Sequence, residues 1–407
     1  MFTSDWKYLF LIIAIFIAAC IETDIYLPAF TDMMSYFSVS EEAVQRLLTW
    51  NFVGICISCL FYGPISDAFG RKKPLMLALG LFFIGSILTL FSPNFDLMLI
   101  GRVLQGLGSG GCFSLGTAII FDVYNHQQAI QALSKINTIV PFIMAGAPML
   151  GGYLNNEFGF RSNFLAIALC VLFSLAVSFF WFKETLPTEK RTPFHWKKIL
   201  KNFARVSSNV TFWQAAGIVS LMFAGYLTFL SGVSILFVME LGVSKQSLPF
   251  YQASMLGAWL IASLTSKHAI HQFGIPKVKR IGTILFAFGV LCLALAMYFT
   301  PDNPVLLTSG MLFYAVGANW TQGIYFPEAM ELFPDIRGVA ASLLTSARLF
   351  ITALVVGLSS RLYDSTAYPI IGVVLAVSAV ILCLIYLYEK KNKVVLVNEE
   401  NPVLEIV

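Results

Sequence analysis

Glu22 and Asp24 end the apolar run LFLIIAIFIAACIETDIYLP, residues 9–28, and Arg102 and Arg348 each interrupt another apolar run. A charge at bilayer depth costs at least a few kcal/mol and marks a functional site by default. A carboxylate in such a place can carry a proton, because burial and a nearby cation pull its titration in opposite directions. Counted along its run, Asp24 lies roughly 7–8 Å beyond the middle of the first span. Arg102 lies roughly 10 Å to the same side in the fourth. The spacing therefore predicts an Asp24–Arg102 pair at one depth, either as a proton switch or as a fixed pair that orients the helices. Glu22 stands roughly 200° around the helix from Asp24. One carboxylate should face a central site and the other its neighbouring helices. Arg348 is expected to face inward too, on an anionic substrate or a polar network.

The elements that position these groups follow from composition. Of 407 residues, 58% are hydrophobic and only 12% charged, too few charges to cover a soluble protein of this size. The mean hydropathy of +0.79 agrees. A helix crosses a bilayer with about 20 apolar residues. That rule yields candidates near 8–30, 44–66, 74–92, 97–121, 132–155, 161–183, 211–238, 247–269, 278–300, 304–331, 338–361 and 366–388. The expected fold class is an all-α membrane protein of twelve helices in two six-helix bundles. Its expected parts are a first bundle over 1–183, a basic linker over 184–210, a second bundle over 211–388 and a tail over 389–407.

Lys and Arg set the orientation. With the N-terminus inside, twenty of the 26 fall on the inner side and four on the outer, and Arg102 and Arg348 complete the count. Both termini are expected in the cytoplasm. A lipoprotein cleavage site ending at Cys20 is the rival reading of the N-terminus; it would remove the first span.

Other chemistries find little support. The seven cysteines lie in apolar runs, and Cys56 and Cys59 form a lone CxxC without a second ligand pair. His195, His268 and His271 lie in inner loops and His126 follows the fourth span, with no ligand set around them. No P-loop is present to bind a nucleotide. Neither an enzyme, a cofactor, a metal nor a nucleic-acid partner is expected.

Residues 63–75, GPISDAFGRKKPL, fall between the second and third spans. Gly63 permits close helix packing, Gly70 a tight turn, and Arg71, Lys72 and Lys73 hold the loop at the inner surface. Asp67 is expected to face a helix N-terminus, that of the eleventh span after Gly338. This stretch resembles the signature loop of the major facilitator superfamily. DIYLPAF at 24–30, GRVLQGLGSGG at 101–111, APMLGGYL at 147–154 and FRSNF at 160–164 resemble its bicyclomycin-resistance (Bcr/CflA) branch, and ELFPDIRGVAAS at 331–342 extends the likeness weakly. The chain departs from the pattern at Ala68, Ala147, Phe121, Arg348 and the extra Glu22.

The resemblance implies a proton-coupled antiporter of the bacterial inner membrane, exporting a drug-like compound or metabolite by alternating access. An importer or a dedicated siderophore or metabolite transporter is the alternative, and a non-transporting sensor a further one. The expected partners are the lipid bilayer, a small molecule and protons, with a monomer as the working unit. Coupling falls to Asp24, Glu22 and Arg102. Gating falls to Gly63, Asp67, Gly70, Arg71 and Lys72, with Gly146, Pro148, Gly151 and Gly152 of the fifth span. A wide, greasy substrate site would draw on Tyr26, Asn51, Arg102, Phe113, Met144, Tyr226, Phe229, Asn319, Trp320, Gln322, Tyr325 and Arg348. Gly317, Gly323 and Pro327 could let the tenth span bend.

Overall fold

The computed structural model describes residues 5–124, 126–191 and 195–400, so the ends of the chain and part of the linker lie outside the described residues. The chain is an all-α multi-pass membrane protein. The first span is α1 (Asp5–Asp24), a 3-10 turn (Leu27–Ala29) and α2 (Phe30–Phe37). Then follow α3 (Glu41–Phe69), α4 (Lys72–Phe91), α5 (Phe95–Val123), α6 (His126–Phe158) and α7 (Arg161–Trp181). A short linker helix, α8 (Trp196–Ser207), precedes α9 (Val210–Ile235), α10 (Leu248–Phe273) and α11 (Ile275–Phe299). The chain ends with α12 (Pro304–Glu331), α13 (Arg337–Leu362) and α14 (Ala367–Glu400). Among the described residues, nine of these segments are long and apolar enough to cross a membrane; α6, α10 and α12 match them in length. α14 runs on past residue 388 into the expected tail.

The helices start where the sequence supplies caps. Ser40 Oγ accepts the Ala43 N–H ahead of Glu41 and Glu42, and Asn94, Asn209 and Asn303 cap α5, α9 and α12 in the same way. Such caps satisfy N–H groups that a helix start leaves orphaned. The chain turns sharply at Gly70, whose φ of +88° few other residues adopt.

α3, α4 and α5 pack closely, and α1 and α7 close on them. In the second half α11 packs on α12, and α9 contacts α12, α13 and α14. The halves meet chiefly where α13 lies along α3 and α10 along α6. Gly152 lies at that contact, where a side chain would strike Pro249 of α10; one at Gly151 would collide with the Ile25 carbonyl of the first span. Gly63 and Gly146 face no such close neighbour, so the close packing expected at Gly63 is instead found deeper, at Gly106 against Asn51.

Candidate functional site

Glu22 and Arg102 form an ion pair at 2.7 Å with both side chains fully buried. This corrects the expected partner of Arg102. α1 turns Glu22, not Asp24, toward α3 and α5. Every guanidinium nitrogen is engaged: Nη1 also donates to Gln105 Oε1 at 2.7 Å, Nη2 to the Tyr26 hydroxyl at 2.9 Å, and Nε to the Leu47 carbonyl at 3.2 Å. The guanidinium also lies 4.5 Å from the Tyr26 ring centroid. Asn51 Nδ2 and Ser109 Oγ donate to Glu22 at 3.1 and 3.0 Å. A buried pair survives only when its remaining donors and acceptors are met, and here they are.

Asp24, two residues on, is 2% exposed and its Oδ2 has no hydrogen-bond partner among the described residues. It lies within electrostatic reach of Tyr226 on α9, whose buried hydroxyl also lacks a partner. Two buried polar groups without hydrogen-bond partners, one from each half of the chain, therefore lie within electrostatic reach of each other. Tyr226 packs on Trp259 with centroids 4.6 Å apart and ring planes tilted by 35°, Trp259 lies 6.1 Å from Phe223, and the Arg348 guanidinium lies 4.8 Å from the Phe223 centroid. Arg348 Nε is buried without a partner, and among the described residues no carboxylate pairs with the side chain. Phe223 and Trp259 were not singled out in the sequence, where nothing separates them from other apolar-run aromatics.

The other candidates scatter. Phe229 is buried against Phe237, Phe113 packs edge-on to Phe16, and Met144 and Asn319 are half-buried. Gln322 is buried with Oε1 unmet. Trp320 and Tyr325 do not belong with the central groups. Trp320 Nε1 donates to the Ala262 carbonyl in a separate small core with Ala269, Val278 and Ile324. Tyr325 donates to Glu389 Oε1 at 2.9 Å, where α14 passes residue 388.

At the face that carries the linker, Arg71 donates to Asp122 at 2.7 Å and to Asp67 at 2.5 Å. The helix N-terminus expected to receive Asp67 has no side-chain cap, so Asp67 serves its own loop. Glu184 accepts the backbone N–H groups of Arg71 and Lys72 at 2.8 and 3.2 Å. Burial works against the Glu184 charge, but the N–H groups of Arg71, Leu186 and Lys72 outweigh it, with Arg191 helping, and hold the carboxyl below its usual range. A similar cluster recurs later in the chain. Lys279, at the start of α11, pairs with Glu328 of α12 at 3.0 Å and Glu389 of α14 at 2.7 Å. It replaces Arg71 of the first cluster, with Glu328 for Asp122 and Glu389 for Glu184. At the opposite face, Asp32 pairs with Lys245 and accepts a bond from Asn155 at 2.6 Å, while Arg361 approaches Glu42 at 4.0 Å. Pro148, near this contact of α6 with α10, is buried.

Helices of this length, with charges reserved for the interior and the two faces, define a multi-pass membrane protein. The profile of the Major Facilitator Superfamily matches residues 11–356, and the chain belongs to that superfamily. It is 25% identical to a bicyclomycin resistance protein homolog of Haemophilus influenzae over 86% of this chain and 87% of that protein. It is 29% identical to YdgK of Bacillus subtilis, an uncharacterised transporter of the superfamily, over 91% and 92%. The fold is similar to a crystal structure of a D-xylose-proton symporter, with a TM-score of 0.69 at 16% identity over 94% of this chain and 97% of the other. The chain is thus a carrier and not an enzyme, a multi-pass protein of the bacterial inner membrane.

Proposed function

We propose that the protein is a proton-coupled secondary transporter of a small organic molecule, working by alternating access. Residues 1–183 and 211–388 act as six-helix units joined by the linker 184–210, all twelve long helices cross the membrane, and both termini lie in the cytoplasm. The repetition of the Arg71 cluster around Lys279 supports two related halves. The excess of Lys and Arg on the linker face supports the orientation.

The observation that carries the coupling is the pair of unmet buried groups, Asp24 Oδ2 on α1 and the Tyr226 hydroxyl on α9, within electrostatic reach of each other. Because Glu22 already neutralises Arg102, Asp24 can gain or lose a proton without stranding the arginine. Asp24 is therefore the proton carrier, and Glu22 and Arg102 hold it in place. For an uncharged substrate one proton suffices: about 100 mV supplies about 2.3 kcal/mol, and half a pH unit about 0.7 kcal/mol. Together these sustain a roughly hundredfold gradient of a neutral solute.

Arg348 favours a dedicated carrier of a small organic anion, a metabolite or chelator, whose carboxylate would meet the unpaired guanidinium while its body lies against Phe223, Trp259 and Tyr226. Export of drug-like compounds is the second reading. It is supported by the relative in Haemophilus influenzae whose name records bicyclomycin resistance.

Proteoliposomes separate the readings, with citrate and benzoate as anionic probes and ethidium as a cationic one. Uptake of an anion that rises with inward proton movement supports the first reading. Ethidium movement that discharges a proton gradient supports the second. Transport of all probes that ignores the proton gradient would sink both.

A further inference from the structure

α8 turns by 100° per residue, so Trp196, Ile199, Leu200, Phe203 and Val206 share one side and Lys197, Lys201 and Arg205 the other. Its apolar side closes on the rest of the protein only at the end that carries the buried Val206. It walls a cavity of about 260 Å³ whose lining is wholly apolar, including Phe61 and Pro64 of α3, Leu343 of α13, and Trp196, Leu200 and Phe203 of α8. The Trp196 and Phe61 rings stack at one end, 6.0 Å apart and 9° from parallel. Arg205 pairs with Asp335, just before α13, and fixes α8 against the second half. A water in such a lining would find no polar partner, so an apolar occupant fits it best. Lys197 and Lys201, on the other side of α8, are exposed. Among the described residues neither makes an ion pair.

We infer that this groove is a binding site for an anionic phospholipid. One acyl chain lies between α3, α13 and α8, and the headgroup phosphate sits against Lys197 and Lys201. The apolar groove and the basic side of the helix that walls it correspond to the two ends of such a lipid, and a helix with one apolar and one basic side belongs at the membrane–water boundary. A zwitterionic lipid offers the same chains without the net charge, which separates the two in a test. The groove is shared by helices of both halves, so the lipid would act as a wedge between α3 and α13.

Two measurements on the purified full-length protein test the site. In native mass spectrometry with palmitoyl-oleoyl phosphatidylglycerol or phosphatidylcholine, phosphatidylglycerol should be retained preferentially. Lys197→Gln with Lys201→Gln should lower that retention by about fivefold per lysine and leave phosphatidylcholine unchanged. In nanodiscs, phosphatidylglycerol brominated on its acyl chains should quench a component of the tryptophan emission that is missing in Trp196→Phe. The preference for phosphatidylglycerol over phosphatidylcholine is read on the unaltered chain, so it stands as a test if a variant fails to fold. Equal retention of the two lipids, retention unaffected by the lysine changes, or quenching identical in Trp196→Phe would overturn the inference.

Discussion

Arg102 gives its guanidinium to Glu22 at 2.7 Å and leaves Asp24 Oδ2 without a partner. The two carboxylates of one helix turn thus have separate tasks. One completes a closed network, and the other stays open to a proton or a substrate. Removing one member of a buried pair costs about 3–5 kcal/mol, because the other charge is left uncompensated. Arg102→Ala should therefore lower the melting temperature of the detergent-purified protein sharply. Glu22→Gln with Arg102→Met should recover much of the loss. A double variant less stable than either single one would contradict the closed network.

Arg71 and Glu184 clamp the loop at the linker face, and Glu184 makes that clamp sensitive to acid. Its folded carboxyl titrates below its usual range. Its contribution is thus present at neutral pH and is lost as pH falls through the lowered folded value. Trypsin cleavage at Lys190 and Arg191 is unsuited to low pH, so a fluorophore on a cysteine replacing Thr188 is the better reporter. Its mobility should rise on acidification below the ordinary glutamate range, and the pH dependence should vanish in Glu184→Gln. Unchanged pH dependence in that variant would move the switch elsewhere.

Lys245 and Asp32 join the two halves at the face opposite the linker, with Arg361 and Glu42 as a weaker second contact. Lys245→Ala should favour opening of that face. Exposed pairs contribute little, so the shift in population should be at most about fivefold. Spin-label distances between the ends of α2 and α10 report it. A distribution identical to the unmodified protein would show that the contact of α6 with α10 at Gly152 and Pro249 holds the face closed without the ion pair.

Arg348 should set substrate charge. Arg348→Gln should weaken binding of a carboxylate probe, and Arg348→Lys should restore only part of it, since an ammonium lacks the planar fork of donors. Ethidium binding should be unaffected or stronger. Equal loss for anionic and cationic probes would assign Arg348 to packing against Phe223.

The helices were legible because twenty-residue apolar runs leave few alternatives, and the Gly70 turn was legible because its neighbours are charged and its position is fixed by two spans. That Glu22 and Asp24 face different ways followed from two residues of helical rotation. Which one meets Arg102 did not, because that depends on how α1 is rotated against α3 and α5. The partners of Arg71 were out of reach for the same reason: Asp122 and Glu184 lie 51 and 113 residues away. Trp320 and Tyr325 were grouped with the substrate site because α12 is polar along much of its length, and no single apolar stripe marks which face turns inward. The structure turns Trp320 toward Ala262 and Tyr325 toward Glu389.

Asp24 as the coupling carboxylate is tested most directly by infrared difference spectroscopy of the purified protein in lipid through a pH titration. A protonated-carboxyl band should grow on acidification in the unmodified chain, be missing in Asp24→Asn and persist in Glu22→Gln. A band that survives in Asp24→Asn and is lost in Glu22→Gln would contradict the assignment and make the Arg102-paired carboxylate the proton carrier.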